Sequence, residues 1–353
     1  MTASRALIFL LPGDLDLRTG GYAYDRQMTA GLRSLGWRVD VRQLDASFPF
    51  PTARALQSAR SVLADIADDA LVMIDGLAFG AMPALAEMEA GRLKLIGLVH
   101  HPLALETGLE AQQIDALRQA ERRALATARG VIVTSAATQR ALRDYAVPAE
   151  RITVIEPGTA AAPVAAGSGS GTLALLCVAT LTPRKGHETL LNALQGLKKH
   201  DWHLKCIGGA MGDDAYLLRL RAQLASCGLQ ERVTFAGEGD DIQVAAAYHV
   251  ADLFVLPTHY EGYGMVVAEA LARGLPVISS QTGAIPDLIG DHAGIVVPPG
   301  DCTALQIALK RVFDEPALLT RMRQGALAAR DRLPRWQDSA TRLSAVLEKQ
   351  LAA

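Results

Sequence analysis

The sequence predicts an α/β protein built from two doubly wound parallel-sheet domains, and three observations predict it. Its 353 residues exceed what one compact core usually organises, at ~100–200 residues per domain. Short apolar runs alternate with helical stretches along the chain, the pattern of parallel strands joined by crossover helices. The composition breaks once, over residues 158–171, in a charge-free run of Gly, Ala, Ser and Pro that reads as a linker.

In the first half the apolar runs that suit buried strands are Ala6–Leu11, Arg38–Leu44, Ala70–Ile74, Lys94–His100, Gly130–Thr134 and Arg151–Ile155. Between them Tyr24–Gly36, Ala53–Asp68 and Ile114–Arg129 carry apolar residues three and four apart, the period of a helix with one buried face. The second half repeats the alternation with Leu173–Ala179, His203–Ile207, Arg232–Ala236, Leu253–Pro257, Pro276–Ser279 and Gly294–Val297. The expected domains are therefore 1–157 and 172–331. Residues 332–353 form a terminal segment, helical over Trp336–Leu351, that ends without a strand and is expected to pack back on the N-terminal domain. Open parallel sheets bind ligands at the carboxyl ends of their strands, which directs attention to the loops after Leu11, Val99, Ala179, Ala236 and Pro257.

Composition narrows the partners. Lys and Arg number 35 against 37 Asp and Glu, a net charge of -2, so the field that gathers nucleic acid is missing. The balance is even along the chain, with 17 basic and 17 acidic residues in 1–155 and 18 and 20 in 156–353. Hydrophobic residues at 50% describe a chain that forms cores, and aromatics at only 5% leave aliphatic residues and alanine to fill them. Cys177, Cys206, Cys227 and Cys302 are scattered without a Cys-x-x-Cys pair, which fits a reducing cytoplasm better than a disulfide scaffold or a zinc site. No run reaches the ~20 apolar residues that cross a bilayer, so any membrane contact is expected to be peripheral.

Four segments carry chemistry. The first is Glu261-Gly-Tyr-Gly-Met-Val-Val-Ala-Glu269, after the strand run ending at Pro257. Glycine lets the backbone approach a ligand, and the N–H groups of Gly264, Met265 and Val266 at an opening helix suit a phosphate. Glu269, one to two turns in, can accept hydrogen bonds from a ribose diol. Spacing alone fits two solvated helix glutamates and a structural turn equally well.

The segment resembles the family 4 type of retaining glycosyltransferase with the GT-B fold, in which a Glu-x7-Glu segment occupies this strand–loop–helix context. The resemblance covers nearly the whole chain. It implies two Rossmann-like domains facing a cleft, an acceptor side in the N-terminal half and a nucleotide-sugar donor side in the C-terminal half. It also implies that Glu269 holds the nucleotide ribose, that Glu261 contacts donor-sugar hydroxyls and that the Gly264–Val266 backbone faces sugar and phosphate.

The second segment is Thr180-Leu-Thr-Pro-Arg-Lys-Gly-His187, a strand end followed by a basic turn. Two cations beside a helix start suit a pyrophosphate, Lys185 as a point charge and Arg184 as a fork. The family has an Arg where this chain has Thr180. Lys185 carries over, and Arg184 is the inferred replacement; His187 reads as a polar residue opening the next helix.

The third segment is Arg18-Thr-Gly20-Gly21-Tyr22, whose adjacent glycines permit positive φ in a loop before the helix at Tyr24. The resemblance matches them to the family's glycine loop facing the donor diphosphate. The fourth is Val99-His100-His101-Pro102 through Glu106. A histidine ending a strand can hydrogen-bond a sugar hydroxyl and titrates near neutral pH. The family carries one there, matched by register to His100, with His101 one residue away as the rival and Glu106 as an acceptor-side candidate.

Asp14-Leu-Asp16 has the Asp-x-Asp spacing of metal-dependent glycosyltransferases. It follows the first strand directly and reads better as a solvated loop. The resemblance thus implies a retaining hexosyltransferase that moves sugar from a nucleotide-diphosphate-sugar to a hydroxyl acceptor, and no metal or other cofactor is expected. Catalytic roles fall to His100, Glu261 and Lys185. A sugar-nucleotide epimerase of the same fold and a non-catalytic sugar-nucleotide binding protein are the rivals.

Overall fold

The computed structural model describes residues 5–210 and 214–352. The chain divides into two compact units. The first runs through Gly158 and takes up the chain again at Pro334; the second is Thr159–Leu333.

The first unit is built on a six-stranded sheet: β1 (Ala6–Pro12), β2 (Arg38–Leu44), β3 (Leu71–Asp75), β4 (Lys94–Val99), β5 (Gly130–Val133) and β6 (Ile152–Val154). Their order is β2-β1-β3-β4-β5-β6, every pairing parallel. Strands β3 and β5 are buried at every residue, as the uninterrupted apolar runs demand of strands covered on both faces. The second unit repeats the plan with β7 (Leu173–Val178), β8 (Trp202–Ile207), β9 (Val233–Phe235), β10 (Leu253–Leu256), β11 (Val277–Ser280) and β12 (Gly294–Val297). Its order is β12-β11-β10-β7-β8-β9, again all parallel.

All twelve predicted strands form, most trimmed or shifted by a residue at their ends. Each sheet has one point where the strand order reverses direction, between β1 and β3 in the first and between β7 and β10 in the second. Helices leave opposite faces of the sheet there, opening a crevice at the strands' carboxyl ends.

Two expectations change. The helix predicted from Tyr24 begins at Gly20, so Gly20 and Gly21 are its first helical residues and neither has positive φ. Residues 159–171 contain no helix or strand, yet they are fastened to the second unit. The Ala165 N–H donates to the Arg273 carbonyl at 2.9 Å, Arg330 donates to the Ala162 carbonyl at 2.8 Å, and the Ser168 N–H donates to Asp252 at 3.0 Å. Small residues let this strap lie flat on the unit, with Ala165 in its core.

The terminal helix Trp336–Ala352 lies against the helix Gly20–Ser34 of the first unit. Glycine makes the contact close: a Cβ on Gly31 would stand 2.5 Å from the Ala340 Cβ. The Trp37 indole N–H donates to the Ser344 hydroxyl at 2.9 Å, and Tyr24 meets Trp336 edge-on at 6.1 Å between ring centroids.

Candidate functional site

The second unit brings together the two segments that the sequence singled out in its half. Strands β7 and β10 are hydrogen-bonded neighbours at the reversal point, so the loops that follow them, 180–186 and 257–264, must emerge side by side. They are laced together. The Arg184 carbonyl accepts from the His259 N–H at 2.7 Å, and the Thr258 hydroxyl lies 3.0 Å from the carbonyl oxygens of both Arg184 and Tyr260.

Across this junction the Lys185 ammonium is ion-paired with Glu261, both side chains nearly nine-tenths buried. Arg184 donates to the Tyr260 carbonyl at 2.8 Å and stands 3.6 Å from the same Glu261 oxygen. The carboxylate expected at sugar hydroxyls and the cations expected at a diphosphate therefore form one charge cluster. Thr180, partly buried at the end of β7, supplies no charge there.

Gly264 sits at φ 94°, a left-handed backbone that glycine adopts without strain, and a Cβ on it would press to 3.1 Å from Ile285. That turn opens the helix Met265–Ala272, whose first N–H groups, of Met265 and Val266, have no partner within the helix. Glu269 lies on the same helix. Its carboxylate accepts from the Tyr248 hydroxyl at 3.2 Å, and Arg273 lies over the Tyr248 ring at 4.5 Å. Burial raises the Glu269 carboxyl above its ordinary value, with the Arg273 charge and the Tyr248 hydrogen bond opposing. Tyr248, on the helix Asp241–Val250, carries this second layer and escapes sequence reading because it looks like any aromatic on a buried helical face.

In the first unit His100 follows β4, with the end of β3 beside it in the sheet and the end of β1 next beyond β3. Its Nε2 stands 3.3 Å from Asp25 and 3.3 Å from Asp75, with the imidazole about one-fifth exposed and both carboxylates buried. Burial works to lower the His100 pKa, but the Asp25 charge and the hydrogen bonds to Asp25 and Asp75 override it and push it up to about 10. Burial raises Asp25 to about 6 against the pull of His100. At neutral pH the pair is ionised. Tyr24 packs edge-on against the imidazole at 5.4 Å.

Gly21 lies beside the imidazole: a Cβ there would stand 3.4 Å from His100 Cδ2, an ordinary contact distance. The glycine pair thus serves as a helix start, not through positive φ. His101 turns elsewhere, its Nε2 3.4 Å from Glu106. Asp14 accepts from the Asp16 N–H at 2.9 Å, closing its own exposed turn.

Asp25, Asp75 and Glu121 are the charged residues that sequence reading missed in this unit. Asp75 ends an apolar strand at its carboxyl end and caps the next helix through the Leu77 N–H at 2.9 Å, a signal that was available. Asp25 is a polar residue on the buried stripe of Tyr24, Met28 and Leu32. Glu121 accepts from the Leu103 N–H at 3.0 Å and so holds the loop after His101; burial pushes its carboxyl up to about 8.

The pattern described as glycosyl transferases group 1 matches residues 126–328, and that described as glycosyltransferase family 4 matches residues 48–161. The chain is 27% identical over 334 residues to an MMP α-(1→4)-mannosyltransferase of Mycolicibacterium hassiacum, covering 89% of this chain and 80% of that protein. It is 34% identical over 207 residues to a glycogen synthase of Mycobacterium tuberculosis, 57% of this chain and 49% of that one, so it spans about half of that relative. Among solved structures, sucrose-phosphate synthase of Thermosynechococcus elongatus superposes with a TM-score of 0.83 at 22% identity, over 99% of this chain and 100% of that one. Anabaena HepE in complex with UDP and glucose gives 0.75 at 19%, over 96% and 98%. The full-length likeness shows the GT-B fold. No helix among the described residues is long and apolar enough to cross a membrane.

Proposed function

Since the chain belongs to the glycosyl transferases group 1 family, we propose that it is a retaining hexosyltransferase that moves a sugar from a nucleotide-diphosphate-sugar to a hydroxyl acceptor without a catalytic metal. The observation that carries the reading is the cluster of Lys185, Arg184 and Glu261 at the strand-order reversal of the second unit, beside the helix start at Gly264.

In this reading Glu269 accepts from the ribose hydroxyls. Lys185, Arg184 and the N–H groups of Gly264, Met265 and Val266 take the charge that develops on the departing diphosphate. Fixed donors of this kind stabilise a leaving group without reorganising at the moment of reaction. Glu261 passes from Lys185 to donor-sugar hydroxyls as the diphosphate takes over the ammonium. His100, kept as an imidazolium by Asp25, donates to the donor sugar, with Gly20 and Gly21 as the phosphate-facing helix start. Retention follows from a same-face displacement in which the departing phosphate oxygen removes the acceptor proton. His101 and Glu106 form the acceptor-side pair, and the protein works in the cytoplasm.

A thermal-shift panel of UDP-, GDP-, ADP- and TDP-sugars identifies the donor, because stabilisation follows occupancy. Transfer from that donor is then followed by NMR in excess chelator, with α-linked product expected from an α-linked donor. An inverted linkage, or complete loss of transfer restored only by Mg²⁺ or Mn²⁺, overturns the mechanism. Donor isomerisation without acceptor, or binding without turnover, favours the epimerase or the binding protein.

A further inference from the structure

A second constellation lies behind the Lys185 turn. Cys177 of β7 and Cys206 of β8 are direct partners in the parallel register, so both thiols leave the same face of the sheet. His187, the first residue of the helix His187–Gln195, stands on that face with its Nε2 3.8 Å from the Cys177 sulfur. The two sulfurs and one ring nitrogen all lie within 4.8 Å of one another, and all three residues are buried. Sequence spacing points away from a metal here because the ligands come from two strands and a helix, ten and nineteen residues apart, and only the sheet register unites them.

We propose that Cys177, His187 and Cys206 bind one thiophilic d¹⁰ cation, Zn²⁺ or Cu⁺. Ligand type argues for this class: thiolate and imidazole select Zn²⁺ and Cu⁺ over Mg²⁺ or Ca²⁺, which demand oxygen. Distance argues for it too. An ion at ~2.3 Å from sulfur and ~2.0 Å from nitrogen places those ligand atoms roughly 3.5–4 Å apart, so the sulfur–nitrogen pair already has a ligating separation. Burial holds the imidazole at the site: His187 is 2% exposed, and Nε2 is the ring nitrogen that faces the Cys177 sulfur.

The test is metal binding by the full chain, independent of sugar transfer. Protein stripped by chelator and kept reduced is titrated with Zn²⁺ against a chromophoric chelator and, without oxygen, with Cu⁺ against bicinchoninate. One equivalent of at least one ion, bound with submicromolar affinity, is expected. Which ion binds distinguishes Zn²⁺ from Cu⁺. Cys206→Ser and His187→Gln should each weaken binding at least tenfold, while Cys302→Ser leaves it unchanged. Should the variants fold poorly, alkylation of the wild-type chain decides, with bound metal expected to protect Cys177 and Cys206 but not Cys302. Absence of a one-to-one complex with both ions, equal affinity in the ligand variants, or no protection overturns the site.

Discussion

Asp25 holds a carboxylate oxygen 3.3 Å from the imidazole Nε2 of His100, on a helix that starts at the glycine pair and ends against the chain's last helix. The relationship joins three distant parts of the sequence. The imidazole lies beside Gly21, and Tyr24, packed on His100, donates to the Ile155 carbonyl at 3.2 Å and meets Trp336.

The pair predicts how stability responds to alkali. His100 has a folded pKa of about 10 against an ordinary 6.5, so its contribution is fully present below pH 6.5 and is lost as pH rises through 10. Asp25 acts in the same direction at lower pH, because a carboxyl raised to about 6 binds its proton more tightly in the folded state. Urea unfolding should therefore show stability falling between pH 7 and 10, with Asp25→Asn flattening that slope and costing about 1–3 kcal/mol at pH 7. An NMR titration in which His100 loses its proton near pH 6.5 would remove the basis of the prediction.

Glu269 predicts a binding effect. Glu269→Gln preserves volume but replaces a charged acceptor with a neutral one, and hydrogen bonds to charged groups are worth about 1.5–3 kcal/mol. Calorimetry with the matching nucleoside diphosphate should show affinity falling about tenfold or more while the melting temperature holds. Tyr248→Phe, which frees the Glu269 carboxylate from its 3.2 Å partner, should give a smaller loss. Equal affinity in Glu269→Gln and wild type would move the ribose away from this residue.

Lys185 and Glu261 predict a coupling. Removing one partner leaves the other charge buried, so Lys185→Met and Glu261→Gln should each destabilise the protein. The double variant should lose less than the two losses together, by about 1–3 kcal/mol. The two should part in binding, Lys185→Met weakening nucleoside diphosphate and Glu261→Gln acting on the nucleotide-sugar. Strict additivity in chemical denaturation would show that the pair is not energetically coupled.

The strands were legible because each is an apolar run bounded by polar or turn residues, and the Glu261–Glu269 and Lys185 loops because glycine, cation and carboxylate concentrate where a strand hands over to a helix. What eluded sequence reading depends on register. Asp25 and His100 are 75 positions apart, and their meeting requires β1, β3 and β4 to be neighbours. Cys177 and Cys206 face one another only because β7 pairs with β8 in that alignment. The 158–171 run shows the converse, since its composition resembles a free linker while its backbone groups bond to the second unit. Alanine and glycine permit both outcomes, and only the partner surface decides.

Glu121 supplies the last prediction. Its carboxyl is pushed up to about 8 by burial, with the Leu103 N–H pulling the other way. A carboxyl raised in the folded state binds its proton more tightly there than in the unfolded chain, where it titrates near 4.5. The usual sign for carboxylates is thus reversed. Its contribution is fully present below about pH 4.5 and is lost as pH rises through 8, at a rate approaching about 1.4 kcal/mol per pH unit inside that window. Glu121→Gln cannot ionise but keeps a carbonyl for the Leu103 N–H. Unfolding midpoints measured from pH 5 to pH 8 should therefore fall less steeply in the variant, the two curves drawing together in acid and separating toward pH 8 with the variant the more stable. Parallel curves would show that Glu121 is already ionised in the folded protein across this range, with the loop at Leu103 held by a carboxylate.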